Sequence, residues 1–140
     1  WPFRGEPDLR PWMTSLCQAG LRVALPLAVA KGQPLVIREW TPGTRLEHDI
    51  WKIPYPADGA EVAPTMLVVP LVGFDPEGFR LGYGGGFFDR TLAAYPQKPL
   101  VVGIGHPVQA ITTIFPQPHD IPMDWIVTGF DAPYRATGPR

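Results

Sequence analysis

The sequence predicts an α/β domain in three layers, with a central, mostly parallel sheet between helices on both faces. Three apolar runs without polar alternation, at residues 66–69, 100–104 and 125–128, are typical of strands covered on both faces in a parallel sheet. A glycine cluster and a helical segment at residues 87–95 separate the first two runs, and this order requires a crossover connection. With 45% hydrophobic and 18% charged residues, the 140-residue chain can bury a core. We expect residues 1–140 to form a single domain.

The chain before the first apolar run predicts one helix and two strands. Asp8 can cap a helix, and Gly20 stands where a helix C-terminus favours positive φ. The apolar residues that fall on one face of this helix are Leu9, Met13, Leu16 and Cys17. Short β-prone runs at residues 21–25 and 35–40 predict strands. Residues 40–64 are the least regular, so we expect a long surface excursion that could line a site.

Composition and charge exclude several classes of partner. Twelve Lys and Arg against 13 Asp and Glu give a net charge of -1, so no global positive field attracts nucleic acid or anionic lipid, and a small-molecule partner is favoured. A single cysteine, Cys17, excludes an internal disulfide and suits the reducing cytoplasm. The longest uncharged apolar stretch, residues 62–74, is shorter than the roughly 20 residues that span a bilayer. Because residue 1 is Trp1, we expect the chain to begin inside a longer gene product.

The segment RLGYGGGFFDR, residues 80–90, carries the strongest functional signal. Its four glycines within residues 82–86 let the backbone approach a ligand and direct N–H groups into one concavity, and the next helix adds the positive end of its dipole. This pattern predicts an anion-binding loop. It is neither a Walker A loop, because no Lys-Ser/Thr follows, nor a dinucleotide fingerprint, because position 87 is Phe. A turn needed only for tight strand-to-helix packing is the alternative.

Charged residues flank this loop. Arg80 and Arg90 could clamp phosphate oxygens, and Asp89 could hold the Mg²⁺ that phosphoryl transfer needs. A second carboxylate cluster, HDIPMD at residues 119–124, precedes the last apolar run. The alternatives are solvated arginines, a first-turn aspartate that answers the helix dipole, and aspartates that only form turns beside proline.

Several short motifs match those of a known protein family in both order and spacing. They are VPLVGFD (69–75), RLGYGGGFFDR (80–90), VGI (102–104) with Gln109, HDIPMD (119–124) and IVT (126–128), with weaker support from GEPD (5–8) and WKIP (51–54). In these motifs the chain resembles the 5-formyltetrahydrofolate cyclo-ligases, also called 5,10-methenyltetrahydrofolate synthetases. The resemblance spans nearly the whole sequence. It implies the α/β architecture shared by cyclo-ligases and sugar-phosphate isomerases.

The resemblance implies an enzyme that converts 5-formyltetrahydrofolate to 5,10-methenyltetrahydrofolate and releases ADP and phosphate. The formyl oxygen would be phosphorylated by ATP, with Mg²⁺ as cofactor, so that it becomes a leaving group for ring closure. The implied partners are ATP and a reduced folate, without nucleic acid or membrane. The resemblance further implies a cytoplasmic protein that is a monomer or a weak homo-oligomer.

The resemblance also implies roles for particular residues. The ATP-binding residues would be Arg80, Gly82, Tyr83, Gly84, Gly85, Gly86, Phe87 and Phe88. The catalytic residues would be Arg80 and Phe88, the folate-binding residues Glu6, Trp51 and Phe87, and the magnesium ligands Asp89 and Asp120. Phe87 and Phe88 stand where the family commonly has tyrosines, so we expect binding by ring contact there.

Two alternatives to a cyclo-ligase stay open. The family's N-terminal basic helix does not precede Trp1, which leaves room for a non-catalytic nucleotide- or folate-binding module with the same fold. The second alternative is a sugar-phosphate isomerase or acyl-CoA transferase relative, since fold alone does not fix function. The glycine loop with Asp89 and Asp120 argues against the second.

Overall fold

The computed structural model describes residues 1–82, 84–129 and 133–136, with the backbone alone at Tyr134. The chain divides into two compact units, Trp1–Pro64 and Thr65–Arg140. The expectation of one domain stays a prediction. In the part of the chain that the structure describes, no helix is long and apolar enough to cross a membrane.

The first unit contains one helix and two antiparallel strand pairs. Its elements are α1 (Arg10–Gln18), β1 (Val23–Leu27), β2 (Val36–Trp40), β3 (Leu46–His48) and β4 (Pro54–Pro56). Strand β1 pairs with β2, and β3 pairs with β4. The buried side chains of Met13, Leu25 and Trp40 form the core of this unit. Part of the expected excursion at residues 40–64 is therefore a β-hairpin.

Helix α1 confirms the helix that the sequence predicts near residue 9. Its N-cap is Leu9, one residue after the predicted Asp8, so the prediction of Asp8 as the cap is wrong; Asp8 Oδ1 nevertheless accepts the Arg10 N–H at 3.0 Å. The Arg10 side chain also bonds this carboxylate and lowers the pKa of Asp8 to about 2. Gly20 follows the helix with φ of 84°, as the sequence predicts.

The second unit carries the parallel sheet. Its elements are β5 (Met66–Pro70), β6 (Gly73–Phe74), β7 (Arg80–Leu81), α2 (Phe87–Ala94), β8 (Leu100–Ile104), a 3₁₀ turn (Pro107–Gln109), β9 (Trp125–Val127) and β10 (Tyr134–Arg135). The four-stranded sheet has the order β10-β9-β8-β5. Strands β5, β8 and β9 are parallel, whereas β10 is antiparallel to β9. Strands β6 and β7 form a separate antiparallel pair.

One face of the parallel sheet holds the core of the second unit. Its side chains pack with Leu92 of α2, and the fully buried ones are Val69, Val101 and Ile126. Alternate residues face the other way, and there Met66 and Leu100 are 45% and 44% exposed. The mixed α/β class with a parallel sheet is thus confirmed. Helices on both faces are not confirmed, since the described residues contain two α-helices, and the three-layer arrangement stays a prediction.

Candidate functional site

Arg80 lies at the start of the glycine-rich segment, on the short strand β7. Its guanidinium carbon is 4.9 Å from the centroid of the Phe88 ring, in cation–π contact. A Cβ atom at Gly82 would lie only 2.6 Å from Arg80 Nη2. The absence of a side chain at position 82 therefore lets the guanidinium lie against the loop backbone. The contact with the Phe88 ring brings the two predicted catalytic residues, Arg80 and Phe88, together.

The glycines after Gly82 shape the entry to helix α2. Gly84 and Gly86 have φ of 89° and 66°, a left-handed conformation that residues with a side chain rarely adopt. Gly86 is the N-cap of α2, and no side chain among the described residues caps it. The first N–H groups of a helix have no acceptor inside the helix, and they carry the positive end of its dipole. These features support the predicted anion-binding loop, which stays a prediction.

Phe87 and Arg90 hold the loop from the helix side. A Cβ atom at Gly85 would lie 2.8 Å from the Phe87 ring, so this glycine gives the ring its place. Arg90 Nη1 donates to the Gly85 carbonyl at 3.3 Å, and its guanidinium lies 6.0 Å from the Phe87 ring centroid. Arg90 thus supports the loop backbone. Tyr83, a predicted ATP-binding residue, lies outside the described residues.

The two predicted magnesium ligands belong to segments that touch. Asp89, in the first turn of α2, accepts the Ile121 N–H on Oδ1 at 3.0 Å, which brings residue 120 beside the helix start. Asp120 itself closes a turn, because its Oδ2 accepts the Gln117 N–H at 2.7 Å. Its Oδ1 lies 3.5 Å from His119 Nε2, and its side chain is 19% exposed. Asp120 therefore forms the turn that the alternative reading expects, and it does so next to Asp89.

The donors at this point suit a hard cation. Within residues 1–82, 84–129 and 133–136, no group of three or more His, Cys, Asp or Glu side chains could hold a metal ion. Mg²⁺ does not require such a group, because it keeps several waters and takes one or two carboxylates together with substrate phosphates. Asp89 and Asp120 supply carboxylate oxygens near the N-terminus of α2. Their chemistry fits Mg²⁺ shared with a nucleotide.

Two other aspartates have structural roles. Asp75 is 2% exposed, and its carboxylate accepts the N–H groups of Glu77, Phe79 and Ile114. Asp124 Oδ2 accepts the Val101 N–H at 2.8 Å and lies 3.1 Å from Lys98 Nζ. Both fix turns or strand starts in the second unit.

The predicted folate-binding residues Glu6 and Trp51 belong to the first unit. Glu6 Oε2 accepts the Phe3 N–H at 3.2 Å, in the turn before α1. Trp51 is 42% exposed, and Lys31 Nζ lies 5.5 Å from the centroid of its ring. Asp49 Oδ1 accepts the Trp51 N–H at 2.8 Å and sets the position of this residue.

Sequence reasoning missed the roles of Asp49 and Gln109. Asp49 Oδ1 accepts the N–H groups of both Trp51 and Ile53, a turn that the Asp-x-Trp spacing could have indicated. Gln109, noted in the sequence only as part of a motif, bonds Leu71 across the second unit. No local pattern predicts that bond.

Comparison with known proteins identifies relatives of one kind. Residues 1–129 match the 5-formyltetrahydrofolate cyclo-ligase family. The 5-formyltetrahydrofolate cyclo-ligase of Escherichia coli K12 is 38% identical over 133 residues, which cover 90% of this chain and 73% of that protein. The enzyme of the same name from Mycolicibacterium smegmatis is 32% identical over 135 residues, 91% of this chain and 70% of that protein.

Solved structures agree with this result. The 5,10-methenyltetrahydrofolate synthetase of Aquifex aeolicus superposes with a TM-score of 0.78 at 30% identity, over 100% of this chain and 71% of that one. The synthetase of Mycoplasma pneumoniae gives 0.69 at 21% identity, over 90% and 68%, and supports the fold alone. With its glycine loop, its aspartates and these relatives, the chain belongs to the 5-formyltetrahydrofolate cyclo-ligase family and is thereby placed among enzymes.

Proposed function

We propose that this chain uses ATP and Mg²⁺ to convert 5-formyltetrahydrofolate to 5,10-methenyltetrahydrofolate, with release of ADP and phosphate. Membership of the family implies ATP and a folate as substrates. The observation that carries the proposal is the arrangement around the N-terminus of α2. There Arg80 packs on the ring of Phe88, and the glycine loop leads into the helix without a side-chain cap. Asp89 bonds the N–H of Ile121, the residue after Asp120.

The loop and Arg80 act on the phosphates of ATP in this proposal. Backbone N–H groups at the entry of α2 offer fixed donors, and Arg80 adds a permanent positive charge with planar donors. Phosphoryl transfer depends mainly on positioning and on neutralising charge, so these groups supply what the reaction requires. The cation–π contact with the face of the Phe88 ring keeps the Arg80 guanidinium in place.

Asp89 and Asp120 would hold Mg²⁺ beside these phosphates. When bound, the ion neutralises charge on the transferred phosphoryl group. The bond from the Ile121 N–H to Asp89 Oδ1 orients that carboxylate, and the bond from the Gln117 N–H to Asp120 Oδ2 orients the other.

The chemistry proceeds in two steps. The formyl oxygen of the folate attacks the γ-phosphorus of ATP, the bond to the bridging oxygen breaks, and ADP leaves. The folate N10 then forms a bond to the activated formyl carbon, the C–O bond breaks, phosphate leaves, and N10 loses its proton. Trp51, Phe87 and Glu6 are proposed to bind the folate, with the aromatic rings supplying flat contact surfaces.

The absorbance of the methenyl product tests this function. We expect product only with both ATP and Mg²⁺, and Arg80→Lys is expected to lower kcat/KM for ATP roughly tenfold or more, because lysine keeps the charge and loses the planar contact with Phe88. Arg22→Lys is the matched control, since the Arg22 side chain is exposed and pairs with Glu39 at the surface of the first unit. Nucleotide binding without any product would favour the binding-module alternative.

A further inference from the structure

The side chain of Gln109 joins the ends of two neighbouring parallel strands. Its Oε1 accepts the His106 N–H at 2.7 Å, and its Nε2 donates to the Leu71 carbonyl at 2.7 Å. Leu71 directly follows β5, and His106 lies two residues after the end of β8. One half-buried carboxamide therefore makes two short bonds, one as acceptor and one as donor.

The surrounding backbone is built around this amide. A Cβ atom at Gly105 would collide with Gln109 Oε1, so the buried glycine leaves the space that the amide occupies. The Gln109 N–H donates to the His106 carbonyl at 3.0 Å, and the Ile111 N–H donates to the Phe74 carbonyl at 2.9 Å. The segment after β8 is thus fixed against the segment after β5. In open α/β sheets, ligands bind at this carboxyl edge.

From Leu71 a short path of backbone bonds leads to the nucleotide loop. The N–H of Val72, the next residue, donates to the Leu81 carbonyl at 3.0 Å. Leu81 belongs to the same two-residue strand as Arg80 and precedes Gly82. A displacement of Leu71 therefore moves the strand that carries Arg80.

We propose that Gln109 is a positioning residue for ATP, which acts by fixing Leu71 and, through it, the strand of Arg80. This inference rests on the proposed function, because it takes Arg80 and the loop to be the nucleotide site. Gln109 itself touches no substrate in this account. Its effect is on the affinity for ATP and not on folate binding.

Two substitutions of equal length test the proposal. Gln109→Met removes both side-chain bonds, whereas Gln109→Glu keeps the acceptor for His106 and removes the donor to Leu71. Loss of a net hydrogen bond of ordinary strength predicts a rise in the KM for ATP of roughly three- to tenfold in both variants. We expect the KM for the folate to stay within about twofold, and exchange of the Val72 amide to become faster by a comparable factor. Gln97→Glu, at an exposed position of the same unit, makes the same change in charge and is expected to leave both constants unchanged.

Several results would overturn the inference. A rise in the KM for ATP in Gln109→Glu alone would show an effect of charge. A loss of kcat of the same size in both variants, with both KM values unchanged, would show a role only in stability. Failure of both variants to fold would make Gln109 a folding residue and exclude a positioning role. If the wild-type enzyme is active with ATP while both variants match it, the inference fails and the proposed function stands. If the wild-type enzyme neither binds nor uses ATP, the proposed function itself fails and the inference falls with it.

Discussion

Gly82 and Arg80 show how the absence of one side chain can set the position of another. The nearest atom to a Cβ built at Gly82 is Arg80 Nη2, the far end of a flexible side chain. The guanidinium can move away from such a Cβ by rotation, so the fold loses little. We therefore expect position 82 to affect the position of the Arg80 charge at the glycine-rich loop more than it affects stability.

We expect Gly82→Ala to raise the KM for ATP about tenfold, equivalent to ~1.4 kcal/mol of binding, with the melting temperature almost unchanged. The new methyl group displaces the guanidinium from the loop and from the face of Phe88. Gly43→Ala is the matched control, because a Cβ there meets no atom within 4 Å. Steady-state kinetics and thermal unfolding measure both effects. Equal ATP constants in the two variants would contradict the place given to Arg80.

Two aspartates near the ends of elements differ in how fully the surrounding backbone bonds their carboxylates. Asp75 begins the turn between β6 and β7, and its carboxylate accepts three backbone N–H groups. Because this side chain is nearly inaccessible, water could not take the place of the carboxylate as acceptor if it were removed. Asp89 lies in the first turn of α2, and its Oδ1 accepts the Ile121 N–H. The second oxygen of Asp89 accepts no hydrogen bond from the described residues.

Substitution by asparagine separates these roles. Asp89→Asn keeps an oxygen for the Ile121 N–H, so we expect an unchanged melting temperature and a half-saturating Mg²⁺ concentration raised roughly tenfold, since the charge is lost. Asp75→Asn places an amide group against backbone N–H donors, and we expect ~2 kcal/mol of destabilisation with a normal Mg²⁺ requirement of the folded fraction. Thermal unfolding and Mg²⁺ titration of activity distinguish the two. An unchanged Mg²⁺ requirement in Asp89→Asn would remove this residue from the metal site.

Elements with strong hydrophobic patterns could be predicted from the sequence, and those formed by specific bonds could not. Strand β8 has the predicted bounds because it is a continuous apolar run. Helix α2 begins at the predicted residue because the glycine cluster ends directly before it. Strand β1 begins two residues later than expected and includes Pro26, which a propensity argument disfavours. Strand β4 has proline at both ends, and its turn depends on the side chain of Asp49.

Across the whole molecule, the contiguous part of the candidate site could be predicted from the sequence. The glycine loop is a single stretch, so an anion-binding role could be predicted from its residues alone. The link between Gln109 and Leu71 spans 38 residues of sequence and follows no periodicity, so it required the fold. The approach of Asp120 to Asp89 was implied by the family resemblance and is supported by the bond to Ile121.

Amide hydrogen exchange tests whether the loop at residues 82–89 binds ATP with Mg²⁺. We predict that millimolar Mg-ATP slows exchange at residues 82–89 several-fold, because phosphate oxygens accept the loop N–H groups. Exchange in the first unit's turn at residues 41–44 serves as the internal control and is expected to stay constant. Unchanged exchange at residues 82–89 with Mg-ATP present would show that this loop does not bind the nucleotide.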